Sequence, residues 1–257
     1  MEKRQSEKIA YICGEWPFHD ERPTLVFVHG AGGSSVLFED LVDGLKDKAN
    51  TLAIDLPGHG DSPGPSRDSV NDYAREVADL VRELDPPSPV IAGLSMGGAI
   101  TQQCLLDYAG LFRAGILLST GAKLKVMPAI FEKIEGDFPG YLELLEQFAV
   151  SPQTDAGRLS RLMEDNARRE PQVVLDDFKA CDAFDVRDRL SEIKAPVLII
   201  TAEDDKLTPP KYGEYLEGAI PTARRVHLEG AGHLVAAEKP GEVIKAIASF
   251  IEEDLGR

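Results

Sequence analysis

The sequence predicts an α/β protein: a mostly parallel sheet with helices on both faces, interrupted late in the chain by extra helices. Three observations predict it. Short apolar runs alternate with segments of helical periodicity, the pattern of strands buried on both faces by crossover helices. One such run, Pro89-Val90-Ile91-Ala92, passes through Gly93-Leu94-Ser95-Met96-Gly97 into the helix-like Gly98 to Leu106, a strand–turn–helix. And 257 residues suffice for one large domain with a substantial core.

The elements follow in order. Thr24-Leu25-Val26-Phe27-Val28 reads as a buried strand, and His29-Gly30-Ala31-Gly32-Gly33 as the strand-to-helix loop behind it. Val36 to Lys48 reads as a helix and Thr51 to Ile54 as a strand. Ser69 to Leu84 is helical, with Val70, Tyr73, Val77, Leu80, Val81 and Leu84 spaced for one buried face, and Asp85-Pro86-Pro87-Ser88-Pro89 ends it. Ala114 to Thr120 is the next strand. From about Ala122 the alternation breaks. Ile130, Phe131, Ile134, Phe138, Tyr141, Leu142, Leu145 and Phe148 recur at helical spacing, and further helices run from Thr154 to Arg169 and from Pro171 to Asp182. This reads as a helical lid, residues 122–190, inserted into a core of residues 1–121 and 191–257. Lids close a site and shape its pocket, and the apolar residues here predict a mainly apolar substrate; plain helix packing explains the same pattern. Arg158, Arg161, Arg168 and Arg169 are candidates for a substrate carboxylate, against the usual placement of helix charges in water. Pro196 to Ala202 and Ala223 to Leu228 read as the last strands. Glu242 to Leu255 reads as a closing helix with Val243, Ile244, Ile247 and Phe250 toward the core.

The chemistry sits in the turns. A Gly-x-Ser-x-Gly between strand and helix is a nucleophile elbow. Its serine, Ser95, stands on a strained turn, glycines on either side keep side chains out of the crowded space, and the following helix points its N-terminus at developing negative charge. An attacking serine needs a base, and the base needs an orienting acid, in the chain order Ser, acid, His. Directly after the Pro196–Ala202 run come Glu203, Asp204 and Asp205, and spacing alone leaves Asp204 and Asp205 open. Of the five histidines, His29 and His59 precede the serine, His19 lies in a polar N-terminal turn and His227 falls within a strand. His233, after Gly230-Ala231-Gly232, follows the last strand and is the candidate base. The oxyanion hole is expected from the backbone N–H groups of Met96 and Ala31, with His29, Gly30 and Gly32 supporting the loop. No Gly-Lys-Ser/Thr follows that loop, so a nucleotide-phosphate cradle is unsupported. Asp55 and His59, in the turn after a strand, are expected to hold that turn by hydrogen bonds.

With Val28-His29-Gly30-Ala31-Gly32-Gly33, Asp55-Leu56-Pro57-Gly58-His59-Gly60-Asp61-Ser62, Gly93-Leu94-Ser95-Met96-Gly97-Gly98, Ala202-Glu203-Asp204-Asp205-Lys206-Leu207-Thr208-Pro209 and Gly230-Ala231-Gly232-His233 in place, nearly the whole chain resembles the α/β-hydrolase fold superfamily, in its serine esterase and lactonase-like branch with a helical lid. In that family's pattern the acid precedes a proline by four residues, which implies Asp205 ahead of Pro209. Ala202 stands where the family usually has glycine. Members that carry the acid after the preceding strand are not matched, because no Asp or Glu occurs between Thr120 and Glu132. The serine at the elbow disfavours dehalogenase and epoxide hydrolase chemistry, which in this fold uses aspartate. The resemblance implies a serine hydrolase acting on a small, mainly apolar carboxylic ester, lactone or thioester through an acyl-enzyme, with no cofactor and no metal. Carbon–carbon bond hydrolysis, cofactor-free perhydrolysis and a non-catalytic ligand receptor are the alternatives on the same residues.

Composition narrows the partners. Lys plus Arg is 28 against Asp plus Glu 44, a net charge of −16, which disfavours nucleic acid and anionic membranes. Three cysteines without metal-ligand spacing suit a reducing cytosol. The charged start Met1 to Lys8 leads into no apolar signal core, and no run approaches the roughly 20 apolar residues of a membrane span. The expectation is a cytoplasmic monomer or homodimer whose partner is a small molecule.

Overall fold

In the computed structural model, which describes residues 1–256, eight strands form one sheet in the order β1-β2-β4-β3-β5-β6-β7-β8. They are β1 (Glu2–Gln5), β2 (Ala10–Cys13), β3 (Thr24–Val28), β4 (Asn50–Ile54), β5 (Pro89–Leu94), β6 (Ala114–Leu118), β7 (Val197–Ala202) and β8 (Ala223–Leu228). From β4 to β8 every pairing is parallel; β1 and β2 join antiparallel at one edge. Every residue of β3, β4, β6 and β7 is buried, which is why these strands read as unbroken apolar runs. β8, at the other edge, is only partly buried and carries the charged Arg224 and Arg225, which suit an edge.

Side chains alternate across the sheet and meet two helical layers. Val26, Val28 and Ile91 pack with α2 (Val70–Leu84), α3 (Met96–Asp107) and α8 (Pro210–Ala219), through Tyr73, Val77, Ile100 and Leu216. Leu25, Phe27, Val90 and Ile116 pack on the opposite face with α1 (Glu39–Leu45) and α10 (Pro240–Phe250), through Leu41, Leu45, Val243, Ile247 and Phe250. A short α9 (Val235–Glu238) precedes α10. Between β6 and β7 run four further helices, α4 (Pro128–Gly136), α5 (Phe138–Ala149), α6 (Ala156–Ala167) and α7 (Pro171–Ala183). Arg257, the last residue of the expected core segment, lies outside the described residues.

Several boundaries differ from the sequence reading. The expected helix over 36–48 begins as a 3-10 turn, Ser35–Phe38, capped by the Ser34 hydroxyl, and becomes α-helical only from Glu39 to Leu45. The apolar spacing across 130–148 spans two helices, divided where the Asp137 carboxylate caps Gly140 and Pro139 enters the first turn of α5. The closing helix starts at Pro240 and widens into a π-type turn after Phe250. β1 and β2 were not read as strands: β1 is mostly exposed and charged, whereas β2 lies in the buried apolar run Ile9-Ala10-Tyr11-Ile12-Cys13, which the sequence reading passed over.

Candidate active site

The loops after β3, β5, β7 and β8 leave the same, carboxyl-terminal, edge of the parallel strands, where open α/β sheets hold their ligands. Ser95 is the turn between β5 and α3. Its backbone takes φ 57° and ψ −116°, a strained conformation for a residue with a Cβ. Neighbouring bonds hold it there: Ser95 N donates to Leu118 O at 3.0 Å, and Thr120 Oγ1 donates to Ser95 O at 2.8 Å. The flanking glycines are required, because a Cβ on Gly93 would overlap the Gly97 carbonyl and one on Gly97 would overlap Val28 O.

The three acids after β7 part company. Glu203 is exposed and its carboxylate accepts from Gly230 N. Asp204 is half-buried and accepts from the Ser151 hydroxyl at 2.5 Å. Asp205 is buried and lies against His233, with Nδ1 at 3.0 Å from Oδ2 and 3.1 Å from Oδ1. Its carboxylate also accepts from Leu207 N, Thr208 N and the Thr208 hydroxyl. Burial alone would raise the Asp205 carboxyl, but the facing His233, its hydrogen bond and those from Thr208 hold it below the ordinary value. With Nδ1–H donating to Asp205, Nε2 is the basic pole of His233. Among the described residues Ser95 Oγ carries no hydrogen bond to that nitrogen, a loose geometry common before substrate binds.

The loop after β3 touches the elbow: a Cβ on Gly30 would stand 3.2 Å from Ser95 Cβ. Among the described residues the backbone N–H groups of Ala31 and Met96 donate to no acceptor. His29 is buried within this loop. Its Nδ1 donates to Gly30 O at 2.8 Å and its Nε2 accepts from Leu56 N at 3.1 Å, so the ring is neutral. Burial, then the neighbouring His59, push its pKa well below the ordinary value. Asp55 binds Ser35 N and Asp61 N and so holds its turn. His59 does more: Nε2 lies 2.8 Å from Oδ2 of Asp177 on α7.

Asp177 is a site residue the sequence reading missed. Helical spacing gives no sign that this one acid of an acidic stretch is fully buried. Its carboxylate takes hydrogen bonds from Gly32 N at 2.7 Å and Tyr73 Oη at 2.6 Å as well as from His59. Glu238 was missed too. Buried on α9, it accepts from Ser151 N, Thr154 Oγ1, Gly232 N and Leu234 N, which ties the His233 loop to the α5–α6 connection. His233 N itself donates to Ala149 O at 2.7 Å.

The arginines singled out on the helical insertion have other work. Arg158 binds Asp40 and Ala237 O, Arg161 binds Glu39, and Arg169 donates to Gly32 O at 3.2 Å and pairs with Asp165. Arg168 is exposed. Of the apolar residues there, Ile134 and Tyr141 pack with Val174 and Leu175 into a core of the insertion's own. No helix among the described residues is long and apolar enough to cross a membrane.

The chain is 28% identical over 221 residues to the pimeloyl-acyl-carrier-protein methyl ester esterase of Neisseria meningitidis serogroup B, covering 80% of this chain and 84% of that protein. It is 30% identical over 252 residues to the hydrolase YugF of Bacillus subtilis, covering 90% of each. Among solved structures, a thermophilic esterase superposes with a TM-score of 0.86 at 27% identity, covering 98% of this chain and 96% of that one. The description "Alpha/beta hydrolase family" matches residues 25–246. With that match spanning the parallel strands from β3 to β8 and all four site loops, the chain belongs to the alpha/beta hydrolase family.

Proposed function

We propose that the protein is a serine hydrolase that cleaves small, mainly apolar carboxylic esters, lactones or thioesters, with Ser95 as nucleophile, His233 as base and Asp205 as orienting acid. The observation that carries this reading is the buried Asp205–His233 pair, which commits Nδ1 to the carboxylate and leaves Nε2 as the basic nitrogen of that ring, at the edge where Ser95 stands. The esterases among the relatives support the substrate class.

The reaction then runs in two halves. His233 Nε2 takes the Ser95 proton as Oγ attacks the carbonyl carbon, and Asp205 stabilises the imidazolium. The carbonyl oxygen becomes an oxyanion between the free N–H groups of Met96 and Ala31, each worth about 3 kcal/mol of transition-state stabilisation. His233 hands its proton to the leaving alcohol or thiol, which departs and leaves an ester on Ser95. Water, deprotonated by the same nitrogen, then attacks the acyl carbon, and Ser95 leaves with the proton as the acid is released. The insertion α4–α7 is held against the oxyanion loop by Asp177 and Arg169, which bond Gly32. Hydrolysis of neutral p-nitrophenyl acyl esters tests this. Ser95→Ala and His233→Ala should each lower kcat by about 10⁴-fold or more while the fold persists. Wild-type rates in Ser95→Ala would overturn the assignment.

A further inference from the structure

We propose that Asp177, carried on the helical insertion, is a positioning residue that fixes the oxyanion loop; this rests on the ester-cleavage reading of Ser95. The loop's N–H groups can stabilise an oxyanion only if their peptide planes are set in advance. Three consecutive planes are pinned. The Gly30 carbonyl accepts from His29 Nδ1 and from Gly33 N at 3.1 Å, and because the peptide is trans, the Ala31 N–H on the same plane points the other way. The next plane is held by Gly32 N donating to Asp177 Oδ2, and the one after by Gly32 O accepting from Arg169 Nε. Gly32 has φ +67°, a conformation that glycine alone takes without strain. Two of these three clamps come from the insertion.

The Asp177 carboxylate is itself over-determined. Tyr73 Oη receives Arg67 N at 3.0 Å and therefore donates its own hydrogen to Oδ1. His59 lies between Pro57 O, 3.1 Å from Nδ1, and the Asp177 carboxylate, 2.8 Å from Nε2, and donates to that carboxylate through Nε2. This pair is wholly shielded from solvent, where bonds to a charged acceptor are strongest. Asp177→Asn keeps the shape but offers an N–H₂ where donors converge, so the Gly32 clamp loosens and the Ala31 amide drifts. The insertion is thereby part of the site's framework rather than a flap that swings clear of it.

The test compares Asp177→Asn with the wild type on a neutral p-nitrophenyl ester and on an alkyl boronic acid, which forms a tetrahedral adduct with the serine. The expected result is kcat lower by about 10- to 100-fold, KM within about threefold, and boronate inhibition weakened in step with kcat/KM. A folded variant with wild-type kcat, or with lower kcat but unchanged boronate inhibition, overturns the proposal. If the variant does not fold, amide hydrogen exchange on the wild type decides it: Gly32 should exchange with the slow core amides, and exchange at the rate of an exposed loop overturns the clamp. A wild type without Ser95-dependent turnover instead overturns the ester-cleavage reading, and the positioning role falls with it.

Discussion

Ser95 trades stability for exposure of its hydroxyl. A left-handed φ on a residue with a side chain costs roughly 1–3 kcal/mol, and the elbow sustains it through the bonds to Leu118 and Thr120. Ser95→Gly should relieve that strain. Equilibrium unfolding is expected to show a gain of about 1 kcal/mol together with loss of turnover, whereas Ser95→Ala, which keeps the Cβ, should gain less. A Ser95→Gly variant no more stable than Ser95→Ala would contradict the strain argument. At this scale the sequence was legible where glycine spacing leaves no alternative, as at Gly93 and Gly97 around Ser95. It was not legible among Glu203, Asp204 and Asp205. Three adjacent acids differ only in where the turn after β7 points them, and the proline at 209 separated them by resemblance rather than by physics.

Elements were read more securely than their ends. The parallel strands β3 to β7 are buried on both faces, so their apolar runs survive any detail of packing. β1 has no such signature, because an exposed edge strand need not be apolar. The insertion between β6 and β7 was visible as a break in alternation, but its purpose was not. Its apolar spacing suggested a pocket wall, yet Ile134 and Tyr141 turn inward on Val174 and Leu175. Its charges suggested a carboxylate ligand, yet Arg158, Arg161 and Arg169 fasten it to α1, α9 and the Gly32 loop. Contacts between residues more than a hundred positions apart, such as Gly32 with Asp177, leave no mark in local spacing. Asp177 was invisible in the sequence for that reason, and Glu238, whose partners Ser151 and Thr154 lie more than eighty positions away, for a similar one.

Across the whole molecule, acid should be felt first through His29. Its folded pKa lies well below the ordinary 6.5, so the unfolded chain takes up a proton that the native core refuses. The stability tied to this neutral ring is complete above pH 6.5 and is lost as pH falls below it, by up to about 1.4 kcal/mol per pH unit. Asp205, held below its ordinary 3.8, adds a second loss only as pH falls beneath that value. Unfolding free energies at pH 7 and pH 5 should therefore drop more for the wild type than for His29→Gln; equal drops would show that His29 does not set the acid response.

The proposed chemistry depends on one serine at the β5–α3 turn being activated by the Asp205–His233 pair. Its most direct test is reaction with a fluorophosphonate, followed by peptide mapping of the adduct. A single adduct is expected on Ser95, absent from Ser95→Ala and strongly slowed in His233→Ala. An adduct elsewhere, or a well-folded wild type that takes none, would contradict it.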